Sequence, residues 1–209
     1  EVGGAGLSGV YAQIILPGEP LGTFFGHKFE GYDDAGNEIL SSEGGPLEDG
    51  RQILGNAQPS FTFGISNTIN RKNIDFRFFI QGVQGIDILN NTRLEYQRPA
   101  NLITNINMFG DVVDDVADGL GQNAGVTYTD RFIEDGSFIR LQNITLGYTF
   151  NTDRVNKLRV YLSADNLLLL TKYKGYDPEV NTFIGQAIGI DYTNYPKART
   201  ITVGLNIGL

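Results

Sequence analysis

Thr200-Ile201-Thr202-Val203-Gly204-Leu205-Asn206-Ile207-Gly208-Leu209 alternates small or polar residues with aliphatic ones and closes the sequence. A β-strand turns successive side chains to opposite faces, so this stretch has one oily face and one wet face. Its length suits the roughly 9–11 residues that a tilted strand needs to cross a bilayer. The pattern predicts a strand with lipid outside and water inside.

The same pattern recurs upstream. Phe61, Phe63, Ile65 and Ile69 alternate with Thr62, Gly64, Ser66 and Thr68, and Asn70 to Asn73 reads as a short polar turn. Ile74, Phe76, Phe78 and Ile80 then alternate with Asp75, Arg77 and Gln81, which predicts a tight hairpin; Phe79 interrupts the polar face and is expected to fill space inside. A second hairpin is predicted from Ile144, Leu146, Tyr148 and Phe150, a charged turn over 151–157, and Leu158, Val160, Leu162 and Ala164. The predicted lipid-facing set is Phe61, Phe63, Ile65, Ile74, Phe76, Phe78, Ile144, Leu146, Leu158, Val160, Leu162, Ile201, Val203, Leu205 and Ile207. Arg77, Arg140, Arg159, Asp75 and Asp165 fall on the opposite faces, where solvation and cross-strand pairing are expected. Further strands are expected over about 23–32 and 11–16.

The connections are unequal. Turns at 70–73 and 151–157 are short, whereas the links at about 33–58, 86–137 and 167–198 are long. Short and long alternate, so the long links should all leave one end of the sheet. Membrane barrels show this asymmetry, with short periplasmic turns and long extracellular loops. The 86–137 link is too long for an idle loop. Helices are expected within it at 88–97 and 111–118, with irregular chain over the Gly-rich 119–125.

Composition limits the alternatives. The 209 residues contain no Cys, which excludes disulfides and thiolate chemistry. A net charge of −8 argues against a nucleic-acid partner. Abundant Gly (27 residues) with 11% aromatics favours an all-β chain. No run approaches the ~18 apolar residues of a membrane helix, which leaves a membrane barrel open. Glu1-Val2-Gly3-Gly4 lacks the basic and apolar regions of a signal peptide, so a mature chain or a piece of a longer one is expected.

Candidate chemistry is sparse. His27 is the only histidine and no nucleophile-elbow or zincin motif surrounds it, so a strand or rim position is its expected role. Asp111, Asp114, Asp115 and Asp118 crowd one side of a predicted helix; a solvated acidic loop is the first reading and a calcium site the second. No other cofactor is expected. Tyr173, Tyr176, Tyr192 and Tyr195 cluster on a long link, as a membrane-edge girdle or loop packing, or as substrate contacts that stack on sugars or grip a peptide.

Several ordered motifs carry a family resemblance. Glu134-Asp135-Gly136-Ser137-Phe138-Ile139-Arg140-Leu141-Gln142-Asn143-Ile144-Thr145-Leu146-Gly147-Tyr148 closely resembles a segment near the end of SusC/RagA-family TonB-dependent outer-membrane transporters. So do Leu162-Ser163-Ala164-Asp165-Asn166-Leu167-Leu168 and Thr171-Lys172-Tyr173-Lys174-Gly175-Tyr176-Asp177-Pro178-Glu179. Upstream, Gly22 to Gly26 and Leu54-Gly55-Asn56 with Pro59 match the same family in the same order, and downstream Tyr195-Pro196 ahead of Arg199 fits too. One departure is Leu209, where the family usually closes on an aromatic residue.

The resemblance implies that residues 1–209 are a C-terminal barrel part, about six strands of a barrel of about 22. The plug and the TonB-contacting region would lie elsewhere. It implies import of a large nutrient across the cell outer membrane, an oligosaccharide more often than a peptide, with no bond made or broken and so no enzyme activity. A SusD-like surface lipoprotein and TonB would be partners. Two alternatives remain open: a soluble carbohydrate-binding β-sandwich, and a small self-contained outer-membrane barrel. A hydrolase would need paired carboxylates in a cleft.

Overall fold

A computed structural model describes residues 2–3, 7, 10–151, 155, 157–180 and 187–208. They fall into two compact units, one drawing on 60–84, 137–172 and 196–209, the other on 1–59, 85–136 and 173–195. The 151–157 turn lies largely outside the described residues, as does Leu209.

The first unit is a single sheet of long strands: β1 (Phe61–Arg71), β2 (Ile74–Gln84), β3 (Phe138–Phe150), β4 (Lys157–Thr171) and β5 (Thr200–Gly208). The order is β5-β4-β3-β2-β1 and every pairing is antiparallel. β1 and β2 are joined by Lys72 and Asn73, with Lys72 at a left-handed φ of 54°. Asn73 ties this turn to the end of β3: its Nδ2 donates to the Thr149 carbonyl at 2.6 Å, and the Thr149 amide donates back at 2.8 Å. Phe138 pairs with Val83 on one side and Thr171 on the other. The long links after Gln84 and Thr171 therefore leave the end opposite the Lys72-Asn73 turn, as the loop-length pattern predicts.

The sheet is not perfectly regular. Leu141 pairs with Ile80 and Asn143 with Phe79, so β3 carries one extra residue against β2. Opposite those two β3 residues stand Leu168 and Asp165, so β4 carries a further one. Asn166, at φ 51°, sits in that second bulge, and its Nδ2 donates to the Ala198 carbonyl at 3.0 Å. A bulge shifts the side-chain phase by one. Ile139 and Leu141 thereby join the face of Ile144 despite their odd numbers.

The second unit is built from short strands. Val2–Gly3, Tyr11–Ile14, Thr23–His27 and Arg51–Asn56 form a four-stranded sheet. Phe29–Tyr32 pairs with Glu38–Leu40. Asp87–Asn90 lies between Ile133–Asp135 and Ile190–Asp191, the last pairing parallel. Among the described residues, three short α-helices, α1 (Asn91–Tyr96), α2 (Ala100–Ile103) and α3 (Val112–Ala117), and a 3-10 turn at Asp130–Phe132 complete it. Phe24, Leu89, Phe132, Ile190 and Ala12 form its buried core, and the Tyr128 hydroxyl donates to the Ala12 carbonyl at 3.0 Å. Burial pushes the Tyr128 phenol well above its ordinary range.

Three expectations change here. The long-stranded sheet has five strands rather than about six. The segments at 11–16 and 23–32 belong to the second unit: Thr23 to Gly26 are all buried, so both faces of that strand meet protein, and its five residues fall short of roughly 9–11 for a crossing. The expected 23–32 strand also breaks at Lys28, beyond which the Phe29 amide donates to Asp130 Oδ1 at 2.9 Å. The helix expected over 88–97 starts only at Asn91, because Asp87–Asn90 is taken by two strand partners. Asn90 then caps the helix through its Oδ1, which accepts from the Arg93 amide at 2.9 Å.

Candidate functional site

The register of the long sheet sorts its side chains by chemistry. Val203, Leu162, Leu146, Phe76 and Ile69 stand in one cross-strand row, and Leu205, Val160, Tyr148 and Ile74 in the next. Ile201, Ala164, Ile144 and Phe78 form a third, and Ile207, Leu158 and Phe150 a fourth. Phe61, Phe63 and Ile65 continue the same face at the other end. Every residue predicted to face lipid therefore shares one face. Ile139, Leu168 and Leu170 also lie on it; they were missed because the two bulges break the odd–even count.

The exposures on this face reverse the usual rule for apolar residues. Val203 is 75% exposed and Ile201 66%. A sandwich core would bury both. Phe63 lies across Gly82, where an added Cβ would come within 2.3 Å of the ring, so the aromatic covers the glycine and smooths the surface. β1 and β5 are the two edges of the sheet and do not pair with each other, so these strands do not close a small barrel.

The opposite face is polar and cross-linked. Arg159 on β4 donates to both Asp75 oxygens on β2, at 2.8 and 2.5 Å, over Gly147 of β3. A Cβ at Gly147 would stand 2.4 Å from either partner, so glycine is what lets the pair reach across a whole strand. The Arg159 guanidinium lies 4.8 Å over the Tyr161 ring, and Tyr161 in turn covers Gly204. Asn143 donates to Asp165 at 2.7 Å, and Thr145 and Ser163 are 2.9 Å apart. Phe79 covers Gly64, filling space on this face as expected. Arg140 is buried, its guanidinium 5.5 Å over Phe138. These bonds tie the strands together across a polar face.

The short-stranded unit holds the remaining candidates, and it separates the tyrosines. Tyr173 is buried beside Ile88 and Val180, and its hydroxyl donates to Asp191 Oδ2 at 2.5 Å. Burial raises both groups above their ordinary values, the Tyr173 phenol strongly. In this conformation Tyr173 is a core residue and offers no surface to a substrate. Tyr176 and Tyr195 are exposed, Tyr195 at 91%, and Tyr192 is half-buried.

The acidic group is divided as well. Asp111 accepts from Arg93 at 2.9 Å; Asp115 accepts from Gln97 at 2.7 Å and faces Arg131 at 3.7 Å. Arg131 also pairs with Glu38 and lies 3.9 Å over the Phe29 ring. Burial raises the Glu38 carboxyl above its ordinary value despite that partner. Asp114 and Asp118 point outward. The calcium reading loses its support, because the chain's own cations engage half of the proposed ligands, and no group of three metal-binding side chains exists among the described residues. His27 ends a strand, its Nδ1 2.8 Å from the Ser41 carbonyl oxygen.

No family model matches the chain. Over 93% of its length it is 34% identical to TonB-dependent receptor P3 of Formosa agariphila, covering 23% of that protein. Over 69% of its length it is 33% identical to TonB-dependent receptor SusC of Bacteroides thetaiotaomicron, covering 14% of it. The chain belongs to the TonB-dependent receptors of SusC/RagA type. As a member of that family it is an outer-membrane protein, and its relatives are receptors rather than enzymes. The solved RagAB peptide importer in its closed-closed state matches 96% of this chain and 25% of its own, with a TM-score of 0.73 at 22% identity. That likeness supports a receptor-barrel fold, of which this chain spans about a quarter. No helix among the described residues is long and apolar enough to cross a membrane; receptors of this type cross with strands.

Proposed function

We propose that residues 1–209 form the C-terminal part of a receptor barrel that imports a large nutrient, an oligosaccharide or a peptide, across the outer membrane. β1 to β5 are its lipid-contacting wall, and the short-stranded unit is its extracellular loop body. The plug and the TonB-contacting segment belong to the rest of the receptor. TonB supplies the work, and a SusD-like lipoprotein holds the nutrient at the surface. The observation that carries this reading is the two-faced sheet. One face exposes rows of aliphatic and aromatic side chains; the other carries hydroxyls, amides and the Asp75–Arg159 pair.

Physically, the two faces divide the work. A spanning strand must satisfy its backbone groups within the sheet; the antiparallel ladder pairs β2 to β4 on both sides, and the outer edges of β1 and β5 await neighbouring strands of the whole barrel. The apolar face is then free to meet hydrocarbon, while the polar face keeps a channel wall wet. Binding and release need no bond to be made or broken. The test is a cysteine scan of 201–207 in the full receptor reconstituted in lipid, each thiol carrying a spin label. Labels at Ile201, Val203, Leu205 and Ile207 should be reached by oxygen dissolved in the bilayer, and those at Thr202, Gly204 and Asn206 by a water-soluble relaxant. Inverted or uniform accessibility would refute the assignment.

A further inference from the structure

The apolar face of the long sheet carries a single charge. Arg71, the last residue of β1, pairs with Ile74 and so stands in the row of Tyr148, Val160 and Leu205. It is the only charged side chain on that face among the described residues; Asp75, Arg77 and Arg159 belong to the other face. Lys72 follows it in the turn. Both cations are exposed, and neither has an ion pair or side-chain hydrogen bond among the described residues.

Depth explains why a charge is tolerated there. A cation on the lipid face is costly at the bilayer midplane and nearly free at the interface. From Phe61 to Arg71 the strand runs about 33 Å along its axis, or about 25 Å in height once tilted by about 40°, which is the height of the apolar band of a membrane barrel. Phe61 and Phe63 therefore mark one edge of the band and Arg71 the other. On the Arg71 side, Tyr148 is exposed in the same row, its ring edge-on to Phe150 at 4.7 Å. A tyrosine at that depth keeps its ring among acyl chains and its hydroxyl among headgroups.

The chemistry of the pair selects its occupant. A guanidinium matches two phosphate oxygens at once, and the adjacent ammonium adds a second positive charge. A zwitterionic headgroup would bring its own cation against this pair; a net anionic one would not. A strand that joins the free edge of β1 lies beside Arg71 and not over it, so the face stays turned to lipid.

We propose that Arg71 and Lys72 form a binding site for the phosphate of an anionic phospholipid at the short-turn edge of the membrane band. The proposal rests on the receptor reading above for the bilayer around β1 to β5, and it adds a specific ligand to that face.

The test uses the full-length receptor in phosphatidylcholine vesicles doped with phosphatidylglycerol that carries a photoactivatable group at the top of one acyl chain. Adducts mapped by mass spectrometry are expected on residues 69–76 and at Tyr148. Their yield should exceed that from phosphatidylcholine carrying the same group by about fivefold or more, since each cation beside an anionic lipid surface contributes a factor of about five. Arg71→Gln should remove most of this preference and Lys72→Gln part of it, whereas Arg71→Lys should retain more of it than Arg71→Gln does. Excess glycerol phosphate at constant ionic strength should not compete, because the acyl chains hold the lipid in place. Equal labelling by the two lipids, a preference indifferent to Arg71→Gln, or adducts lost to free phosphate would each overturn the proposal. A lipid with its photoactivatable group at the far end of the acyl chain separates this outcome from the receptor reading. If that probe labels Val203 and Leu162, the face is in the bilayer and a missing headgroup preference refutes the site alone. If it labels neither, the receptor reading itself fails.

Discussion

The two units of this chain obey opposite rules of burial. In the long sheet, 9- to 15-residue strands hold large apolar side chains on an exposed face and bond their polar groups on the other. In the short-stranded unit, strands of two to six residues surround Phe24, Phe25, Leu89 and Phe132, and charged groups sit outside or in networks such as Glu38–Arg131–Asp115. A segment that sinks its apolar residues is made for water. One that displays them along an orderly face is made for another solvent. Under the proposed function, the membrane boundary falls where long alternating strands give way to short buried ones.

The strongest test of the contrast is a large-to-small change in the water-type core. Phe132 is fully buried, with the Arg93 and Arg131 guanidinium groups within 6 Å of its ring. Phe132→Ala should cost the short-stranded unit about 3–5 kcal/mol. Hydrogen exchange should accelerate across 86–136 while the amides of β1 to β5 stay protected. Equal loss of protection in both units would show that they do not follow separate rules.

Next comes a matched pair of substitutions on β5. Val203→Arg places a charge on the apolar face and should cost about 2–4 kcal/mol near the bilayer midplane. Thr202→Arg points to the polar face and should be far better tolerated. Heat stability of the reconstituted receptor compares them, and a reversed ranking would invert the face assignment.

The smallest effect is a pH dependence confined to the short-stranded unit. Burial holds the Asp191 carboxyl above its ordinary value, so the folded state keeps its proton to higher pH than the unfolded state does. The stability tied to that proton is fully present below the unfolded value and is lost as pH rises through the folded one. Protection factors, which divide out the intrinsic base-catalysed exchange rate, should therefore fall near Asn90 and Asp191 as pH rises. Asp191→Asn should flatten this trend. A trend in the opposite direction would contradict the cause assigned.

How much of this was legible in the sequence follows from periodicity. The 2.0-residue alternation at 61–69, 74–80, 144–150, 158–164 and 200–208 located every long strand among the described residues, because a sheet with one apolar and one polar face prints both on each strand. The loop-length sorting was legible for the same reason. Strand segments such as Thr23–His27 were misplaced because a strand buried on both faces carries no alternation. Ile139, Leu168 and Leu170 escaped because bulges at Gln142 and Asn166 reset the phase, and no local signal announced either bulge. Among the candidate site residues, Tyr173 and Tyr195 look alike as letters. One has its hydroxyl bonded to Asp191 across 18 positions of chain, the other stands free at 91% exposure.

What the sequence by itself determined is the character of each strand: side-chain alternation is a local property, set by the pleat and readable residue by residue. What only the tertiary structure decided is which residues meet across distance. The Arg159–Asp75 pair over Gly147, the division of the α3 carboxylates between partners and solvent, and the burial of Tyr173 all depend on register and chain crossing. Those are fixed by many weak contacts acting together, and no single stretch of sequence contains them.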